Sequence, residues 1–339
     1  MRPRWPWLVV LPLAVSIAVI AAAWTPGGAA HTRRAVAVLG VVPVPPGNPQ
    51  TPDKVALGKR LFFDPRLSGG NTIACATCHQ PAKGLGDGLP RSIGAAGEMP
   101  RNAMALWNVA YMRTIHSDGN RASLEEQADK AIAGPAMAQP YPALLAELGG
   151  VAEYRDRFAR AFPDGITEAN IAKAIAAFER TLLSFDSPYD RYEAGDHHAL
   201  SAEEKLGRDL FFSARTGCSS CHVGPLFTDN AWHNLGVPQA GPKAVDNGRG
   251  DVTHDPADAG AFKTLMLRNV ALSGPYMHDG VFTSLDQVVA FYTAGGGPAS
   301  TKSPLVKPLD LTVKEQKALV AFLRSLTDPT ARVTPPKLP

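Results

Sequence analysis

Two short motifs of the same design carry the clearest chemistry in this chain. Each has two cysteines three positions apart, followed directly by a histidine: Cys75, Cys78 and His79 in the first, and Cys218, Cys221 and His222 in the second. Two thiols at this spacing can add to the two vinyl groups of one porphyrin while the adjacent imidazole ligates its iron. A redox dithiol or half of a zinc site would use the same cysteine spacing. Because all four cysteines lie in these motifs and each second cysteine precedes a histidine, the sequence predicts two covalently bound haem c groups.

The N-terminus predicts export from the cytoplasm. Residues 1–30 combine two early arginines, an apolar stretch over 8–24 and small residues at 28–30, which is typical of a signal peptide. The apolar stretch is short for a membrane-spanning helix, and the competing interpretation is a retained anchor, the only case in which we expect membrane contact. Either interpretation predicts a periplasmic protein, because c-type haem is attached there. The formal net charge of +3, without a long basic run, gives no indication of a nucleic-acid partner.

An internal repeat indicates two related units. The pattern Leu-Gly-x-x-Leu-Phe-Phe precedes the first haem motif at 57–63 and the second at 206–212. After the signal peptide we expect a proline-rich leader over 31–52. An N-terminal cytochrome c-like domain over 53–195 then carries the peroxidatic haem, and a C-terminal one over 196–330 carries the electron-transfer haem. The polar stretch 184–199 is the expected linker between them.

Helix signals dominate the sequence. Ser123, Ser201 and Thr312 each stand three residues before a glutamate, which is the capping-box pattern of a helix start. Apolar residues recur at helical spacing over 171–182 and 319–326, and no sustained two-residue alternation occurs. The sequence therefore predicts a mainly α fold with long loops rich in glycine and proline.

Residues 267–280 resemble the signature segment of the bacterial di-haem cytochrome c peroxidases and the related MauG enzymes. The resemblance extends from about residue 52 to 326 and includes both haem motifs, residues 100–102 and residues 123–127. It implies a periplasmic di-haem oxidoreductase in which hydrogen peroxide reacts at the haem of His79. Electrons would pass through the haem of His222 from a small periplasmic electron-donor protein.

The second ligand of each iron decides which sites react with small molecules. In the peroxidases a methionine closes the second haem; the matching position here is Tyr292, as in MauG-type members, with Met277 or Met266 as alternative ligands. A phenolate ligand would lower the potential of that haem. Peroxidases that need reductive activation close the first haem with a histidine. Ala95 stands at that place, so we expect the first haem to be open to peroxide without prior reduction.

The distal groups depart further from the family pattern. The family has a catalytic glutamate in a segment that matches 134–138, where this chain has no carboxylate. Gln127 matches the distal glutamine and would orient peroxide, and His116 and Glu126 are candidates for the acid or base. His116 is equally interpretable as an exposed loop histidine. The tryptophan that bridges the two haems in the family is replaced by Ser117.

The resemblance also implies one calcium ion between the two domains. The family binds it with an asparagine side chain and backbone carbonyls, and the matching positions are Asn102, Ser273 and Pro275. Ligands that are all oxygen atoms suit calcium.

Three functions remain open at this point. One is a peroxidase, and the second is a MauG-like, peroxide-dependent oxidase that modifies a protein or a small-molecule substrate. The third is a non-enzymatic di-haem electron carrier. Ala95 argues against a carrier, because a carrier gains nothing from an open iron, and Tyr292 favours the oxidase over the peroxidase. The missing carboxylate argues against both enzymes. We expect a di-haem oxidoreductase that uses peroxide.

Overall fold

The computed structural model describes residues 39–241 and 245–339. The predicted signal peptide and the start of the predicted leader lie outside the described residues. Across the two described ranges, no helix has both the length and the apolar character needed to cross a membrane.

Helices joined by long loops make up most of the described chain, which confirms the predicted mainly α fold. The helices are α1 (Pro52–Phe63), α2 (Cys75–Cys78), α3 (Leu124–Ala133), α4 (Tyr141–Gly150), α5 (Ala152–Ala161), α6 (Glu168–Glu179), α7 (Pro188–Glu193), α8 (Ala202–Phe211), α9 (Gly250–Thr253), α10 (Leu285–Thr293) and α11 (Val313–Ser325). Two-residue strands form two antiparallel pairs: β1 (Ile93–Gly94) with β2 (Gly97–Glu98), and β3 (Trp232–His233) with β4 (Phe262–Lys263).

The three predicted capping boxes all begin helices. The hydroxyl oxygens of Ser123, Ser201 and Thr312 accept hydrogen bonds from the backbone N–H three residues later, at donor–acceptor distances of 3.1, 3.2 and 3.3 Å. Each bond satisfies one backbone donor that the first helical turn leaves without a partner. Helices α3, α8 and α11 therefore begin where the sequence predicts.

The repeated Leu-Gly-x-x-Leu-Phe-Phe pattern is explained by two close helix crossings. Helix α1 crosses α6 at Gly58, where an added Cβ would lie 1.8 Å from the carbonyl oxygen of Ala174. Helix α8 crosses α11 at Gly207, where an added Cβ would lie 1.8 Å from the carbonyl oxygen of Ala318. Only glycine allows the two backbones of each pair to come this close. The same crossing therefore builds both halves of the chain.

Each half has its own hydrophobic core beside its haem motif. In the first core, Phe62 of α1 packs edge-on against Phe178 of α6, with ring centroids 5.2 Å apart. In the second, Phe211 of α8 packs against Phe322 of α11, with ring centroids 5.1 Å apart. A small cluster that includes Phe185 joins the halves. Aromatic burial of this kind is among the larger contributions to core stability.

The predicted linker over 184–199 is more ordered than its polar composition indicates. Ser187 caps the short helix α7 and is fully buried. The Asp190 carboxylate of α7 forms a bidentate pair with the Arg268 guanidinium, at 2.7 and 2.8 Å. This part of the segment is thus fixed to the second half, because charge-assisted pairs of this geometry are directional. The domain limits at 195 and 196 stay a prediction.

Replacing Gly58 or Gly207 with alanine tests the two crossings. Each Cβ would overlap a backbone carbonyl, so we expect Gly58→Ala and Gly207→Ala to destabilise the fold by about 1–3 kcal/mol. The measurement is the thermal unfolding midpoint of the haem-loaded protein followed by circular dichroism. Gly149→Ala in α4 is the control, because a Cβ there meets nothing within 4 Å. Equal midpoints for all three variants would contradict the close crossings.

Candidate functional site

Both haem motifs lie on short helical turns. The first occupies α2, and the second begins with a 3₁₀ turn over Cys218–Ser220. All four cysteines are free thiols and partly buried. Burial raises the pKa of Cys75 and of Cys218, and it does so for Cys78 and Cys221 as well. The thiols are therefore available for covalent attachment and are shielded from other reactions.

A backbone carbonyl accepts a hydrogen bond from Nδ1 of each motif histidine, and the His79 ring has a further backbone hydrogen bond at Met104. The Nδ1 of His79 donates to the carbonyl oxygen of Leu85 at 3.0 Å, and the Nδ1 of His222 donates to the carbonyl oxygen of Phe227 at 2.8 Å. This leaves Nε2 of each ring as the atom that can ligate a metal. Burial lowers the pKa of both imidazoles, so both are neutral, which is the form that binds iron. The residues present therefore fit two haem groups.

The residues that accept these bonds adopt a strained backbone. Leu85 and Phe227 have φ angles of 65° and 57°, in the left-handed region that bulky side chains seldom adopt, and both are fully buried. A conformation of this kind costs about 1–2 kcal/mol, which surrounding packing must offset. The sequence analysis missed both residues. The signal was a glycine and a large apolar residue shortly after each motif, at 84–85 and 224–227.

A cavity of about 310 Å³ lies beside the second motif. Its mainly apolar wall includes His222 and Tyr292, and it also includes Met266 and Met277. Tyr292, on α10, is brought close to the motif: burial raises the pKa of its hydroxyl, and the nearby Cys218 and Cys221 thiols act in the same direction. The predicted ligand and both alternative methionines thus share one cavity with His222.

The three predicted calcium ligands also line this cavity. They are Asn102, Ser273 and Pro275. The side-chain nitrogen of Asn102 donates to the carbonyl oxygen of Leu89 at 2.6 Å, which leaves the side-chain oxygen for a cation. The backbone N–H of Asn102 donates to the carbonyl oxygen of His278 at 2.8 Å and thereby ties the two halves together. The oxygen atoms fit a hard cation.

Ala95 lies at the exposed turn of the β1–β2 hairpin. Its backbone N–H donates to the carbonyl oxygen of Ala136 at 2.9 Å, and the N–H of Ala96 donates to that of Pro135 at 3.0 Å. The hairpin is therefore bonded to the segment where the expected glutamate is missing. The two departures from the family pattern are neighbours in space.

The predicted distal residues fall on α3 and on the loop before it. The carboxylate of Glu126 accepts a hydrogen bond from the backbone N–H of Ala122 at 2.8 Å and so completes the helix cap. The side-chain oxygen of Gln127 is buried and has no hydrogen-bond partner within the described ranges. His116 has a φ of 71°, burial lowers its pKa, and its side chain bonds to Asn120. Of the three, Gln127 has the buried polar atom that is left for a ligand.

Ser117 is buried in the wall of the cavity, and two indoles lie near it. Trp107 lines the same cavity and belongs to the core of the first half. Trp232 lies against Gly119: a Cβ added to Gly119 would lie 2.4 Å from a carbon atom of the Trp232 ring. The sequence analysis assigned no role to either tryptophan, because neither belongs to a recognised motif.

A buried ion cluster joins the halves beside the cavity. The Arg101 guanidinium forms a bidentate pair with the Asp246 carboxylate, at 2.7 and 2.8 Å, and a further bond of 2.5 Å to Asp118. Its face also lies over the ring of Phe262, which stacks on His278 with ring centroids 3.8 Å apart. The sequence analysis used Arg101 only for the resemblance and missed this role.

Comparison with known proteins is consistent with this geometry. The family model for di-haem cytochrome c peroxidase matches residues 52–198. The chain is 39% identical to the cytochrome-c peroxidase IdrP1 of Pseudomonas sp. (strain SCT), over 94% of this chain and 92% of the relative. It is 40% identical to the methylamine utilization protein MauG of Methylorubrum extorquens, over 88% and 85%. The crystal structure of a MauG-like protein associated with microbial copper homeostasis superposes with a TM-score of 0.81 at 35% identity, covering 86% of this chain and 94% of that one.

Proposed function

The chain belongs to the di-haem cytochrome c peroxidase and MauG family of oxidoreductases, and we propose that it is a periplasmic enzyme that reduces hydrogen peroxide at the haem of His79. The observation that carries the proposal is the asymmetry between the two sites. Tyr292 shares a cavity with His222, whereas Ala95 has no atom that can bind iron. One site is thus suited to chemistry and the other to electron transfer.

The family binds two haem groups, and the chain supplies the residues that would hold them. Cys75, Cys78 and His79 would bind the first, and Cys218, Cys221, His222 and Tyr292 would bind the second. Bound haem supplies the redox chemistry, namely reaction with peroxide and transfer of single electrons.

The protein contributes orientation and proton control. The Leu85 carbonyl holds Nδ1 of the neutral His79 ring, which leaves Nε2 as the nitrogen that would ligate iron, and the bond strengthens the basicity of that nitrogen. The buried side-chain oxygen of Gln127 accepts a hydrogen bond from peroxide and fixes its orientation. Reduction of one hydrogen peroxide to two waters consumes two electrons and two protons. A small periplasmic electron-donor protein supplies the electrons through the second half.

A MauG-like oxidase is the second candidate function, and Tyr292 is the observation that favours it. A hard anionic ligand stabilises the ferric state, so this site accepts electrons poorly from an ordinary cytochrome. In this alternative the oxidising equivalents from peroxide are used on a protein or small-molecule substrate instead. The two functions share the peroxide reaction and differ in the source of the electrons.

We also propose one calcium ion held by the side-chain oxygen of Asn102 and by the backbone carbonyls of Ser273 and Pro275. These residues come from both halves and line the same cavity. An ion there would fix the relative position of the two haem sites.

Replacing Tyr292 with methionine tests the ligand of the second haem. A thioether favours the ferrous state more than a phenolate does, so we expect Tyr292→Met to raise the midpoint potential of that haem. Spectroelectrochemistry of the haem-loaded protein gives the potential. Tyr276→Phe is the matched control, because Tyr276 lines the same cavity and is not an expected ligand. An unchanged potential in Tyr292→Met would exclude Tyr292 as the ligand.

Replacing Ala95 with histidine tests whether the first haem is open. The oxidised wild-type protein should show one high-spin and one low-spin ferric signal in electron paramagnetic resonance at low temperature. In Ala95→His the high-spin signal should decrease, and the rate of reaction with peroxide should fall about tenfold or more, which is about 1.4 kcal/mol of barrier. Ala96→His, on the same exposed turn, is the control. Two low-spin signals in the wild type would show that another side chain closes the site.

Removing calcium tests the proposed calcium site. Chelation with EGTA should change the absorption spectrum of the haem-loaded protein and slow its reaction with peroxide, and added Ca²⁺ should restore both. Asn102→Ala should resemble the chelated wild type and should not respond to Ca²⁺. The control is Asn71→Ala, an exposed asparagine that donates to Glu147 instead. A wild type that is indifferent to EGTA and holds no calcium by elemental analysis would rule the site out.

A further inference from the structure

Glu179, the last residue of α6, is a buried carboxyl group to which the proposed chemistry assigns no role. Its side chain is 8% exposed, and its Oε2 atom has no hydrogen-bond partner among the residues that the structure describes. A buried carboxylate in this state is unfavourable by several kcal/mol unless it is protonated or paired. The group therefore either holds a proton or exchanges one.

Glu179 lies in the first half of the chain, close to the first haem motif. Its neighbour Phe178 packs on Phe62, which lies beside the His79 ring with centroids 6.4 Å apart. Burial raises the pKa of Cys75, and the charge of Glu179 is the next largest cause of that rise. Glu179 thus lies within electrostatic reach of the sulfur that would be bonded to the porphyrin.

Arg180, the cation next to Glu179 along the chain, is hydrogen-bonded to another carboxylate, and its Nη1 atom has no hydrogen-bond partner among the described residues. The Arg180 guanidinium bonds both carboxylate oxygens of Glu125 on α3, at 2.7 and 2.9 Å. Lys54 of α1 bonds the side chain of Asn48. Burial and the charge of Lys173 lower the pKa of its ammonium, and the charge of Glu125 opposes this. Burial raises the pKa of Glu179 to about 8; Arg180 opposes this rise and Glu125 adds to it.

We propose that Glu179 is the proton-exchanging acid of the first haem site: its carboxylate takes up a proton when that site gains an electron, and gives the proton up in the reduction of peroxide. An added electron makes the site more negative by one charge, and in a medium of low dielectric constant this favours the protonated carboxyl.

The donation of a proton to peroxide rests on the proposed function, which also sets the number of protons and electrons that the reaction consumes. Two electrons come from the electron-donor protein, and two protons enter for each hydrogen peroxide that becomes two waters. Glu179 provides one of these protons: its O–H bond breaks as an O–H bond of a product water forms. The carboxylate is then reprotonated from solvent at the next reduction.

The first test is the midpoint potential of the first haem as a function of pH, measured on the haem-loaded full chain without peroxide. In the wild type the potential should fall as the pH rises from about 7 to about 9, because the oxidised site releases the Glu179 proton more readily than the reduced site. Glu179→Gln keeps the shape and cannot titrate, so this fall should be lost. Glu179→Asp should retain it, and Glu168→Gln, an exposed carboxyl on the same helix, should behave as the wild type.

An equal fall of potential in Glu179→Gln and in the wild type would overturn the proposal. The second test is the rate of reaction with peroxide at pH values below about 8, which should be lower in Glu179→Gln than in Glu168→Gln. Equal rates would overturn the proton-donating step even if the potential responds. A wild type that does not react with peroxide would overturn the proposed function, and the potential series would still decide the role of Glu179.

Discussion

The hydrogen bond from a buried histidine to a backbone carbonyl is the contact on which both haem sites depend. An apolar cavity disfavours a charged imidazole, and a histidine with a free choice of rotamer would not keep one nitrogen available for iron. Leu85 and Phe227 solve both problems, because their left-handed backbones aim a carbonyl at Nδ1. The strain of these two residues is offset by full burial of their side chains, which belong to the same two cores as the helices that cross at Gly58 and Gly207.

The two halves share this arrangement and differ at the residues that would occupy the second ligand position of each iron. In the second half, α10 brings Tyr292 into the cavity of His222. In the first half, the residue that the resemblance matches to the activating histidine is Ala95, at the turn of a hairpin that backbone hydrogen bonds hold against the 134–138 segment. The repeated pattern therefore accounts for the common scaffold, while the proposed difference in function rests on a few positions outside it.

The sequence predicted the features whose physics is local. The helix starts at Ser123, Ser201 and Thr312 depend on a hydroxyl and an amide within one turn, and the haem motifs depend on a spacing of three residues. It did not predict the contacts made between distant segments. The ion cluster of Arg101 joins residues 145 positions apart, and the packed state of the 184–193 segment depends on Arg268. Neither contact gives a recognisable pattern in the sequence. The same holds for Glu179, because only its burial distinguishes it from an ordinary glutamate at a helix end.

Ser117 replaces the family's tryptophan, but the chain has two other indoles in this region, Trp107 and Trp232, and their surroundings differ in charge. Two cations lie over the Trp232 ring, the Arg249 guanidinium at 4.2 Å and the Lys263 ammonium at 5.0 Å from the ring centroid. These contacts stabilise the neutral indole but oppose removal of an electron: one unit charge about 4 Å away costs roughly 4 kcal/mol at an effective dielectric constant of 20. Trp107 packs in the apolar core of the first half and lines the cavity of the second. Of the two indoles, Trp107 therefore has the surroundings that oppose loss of an electron less, and it is the one that lines the cavity of His222.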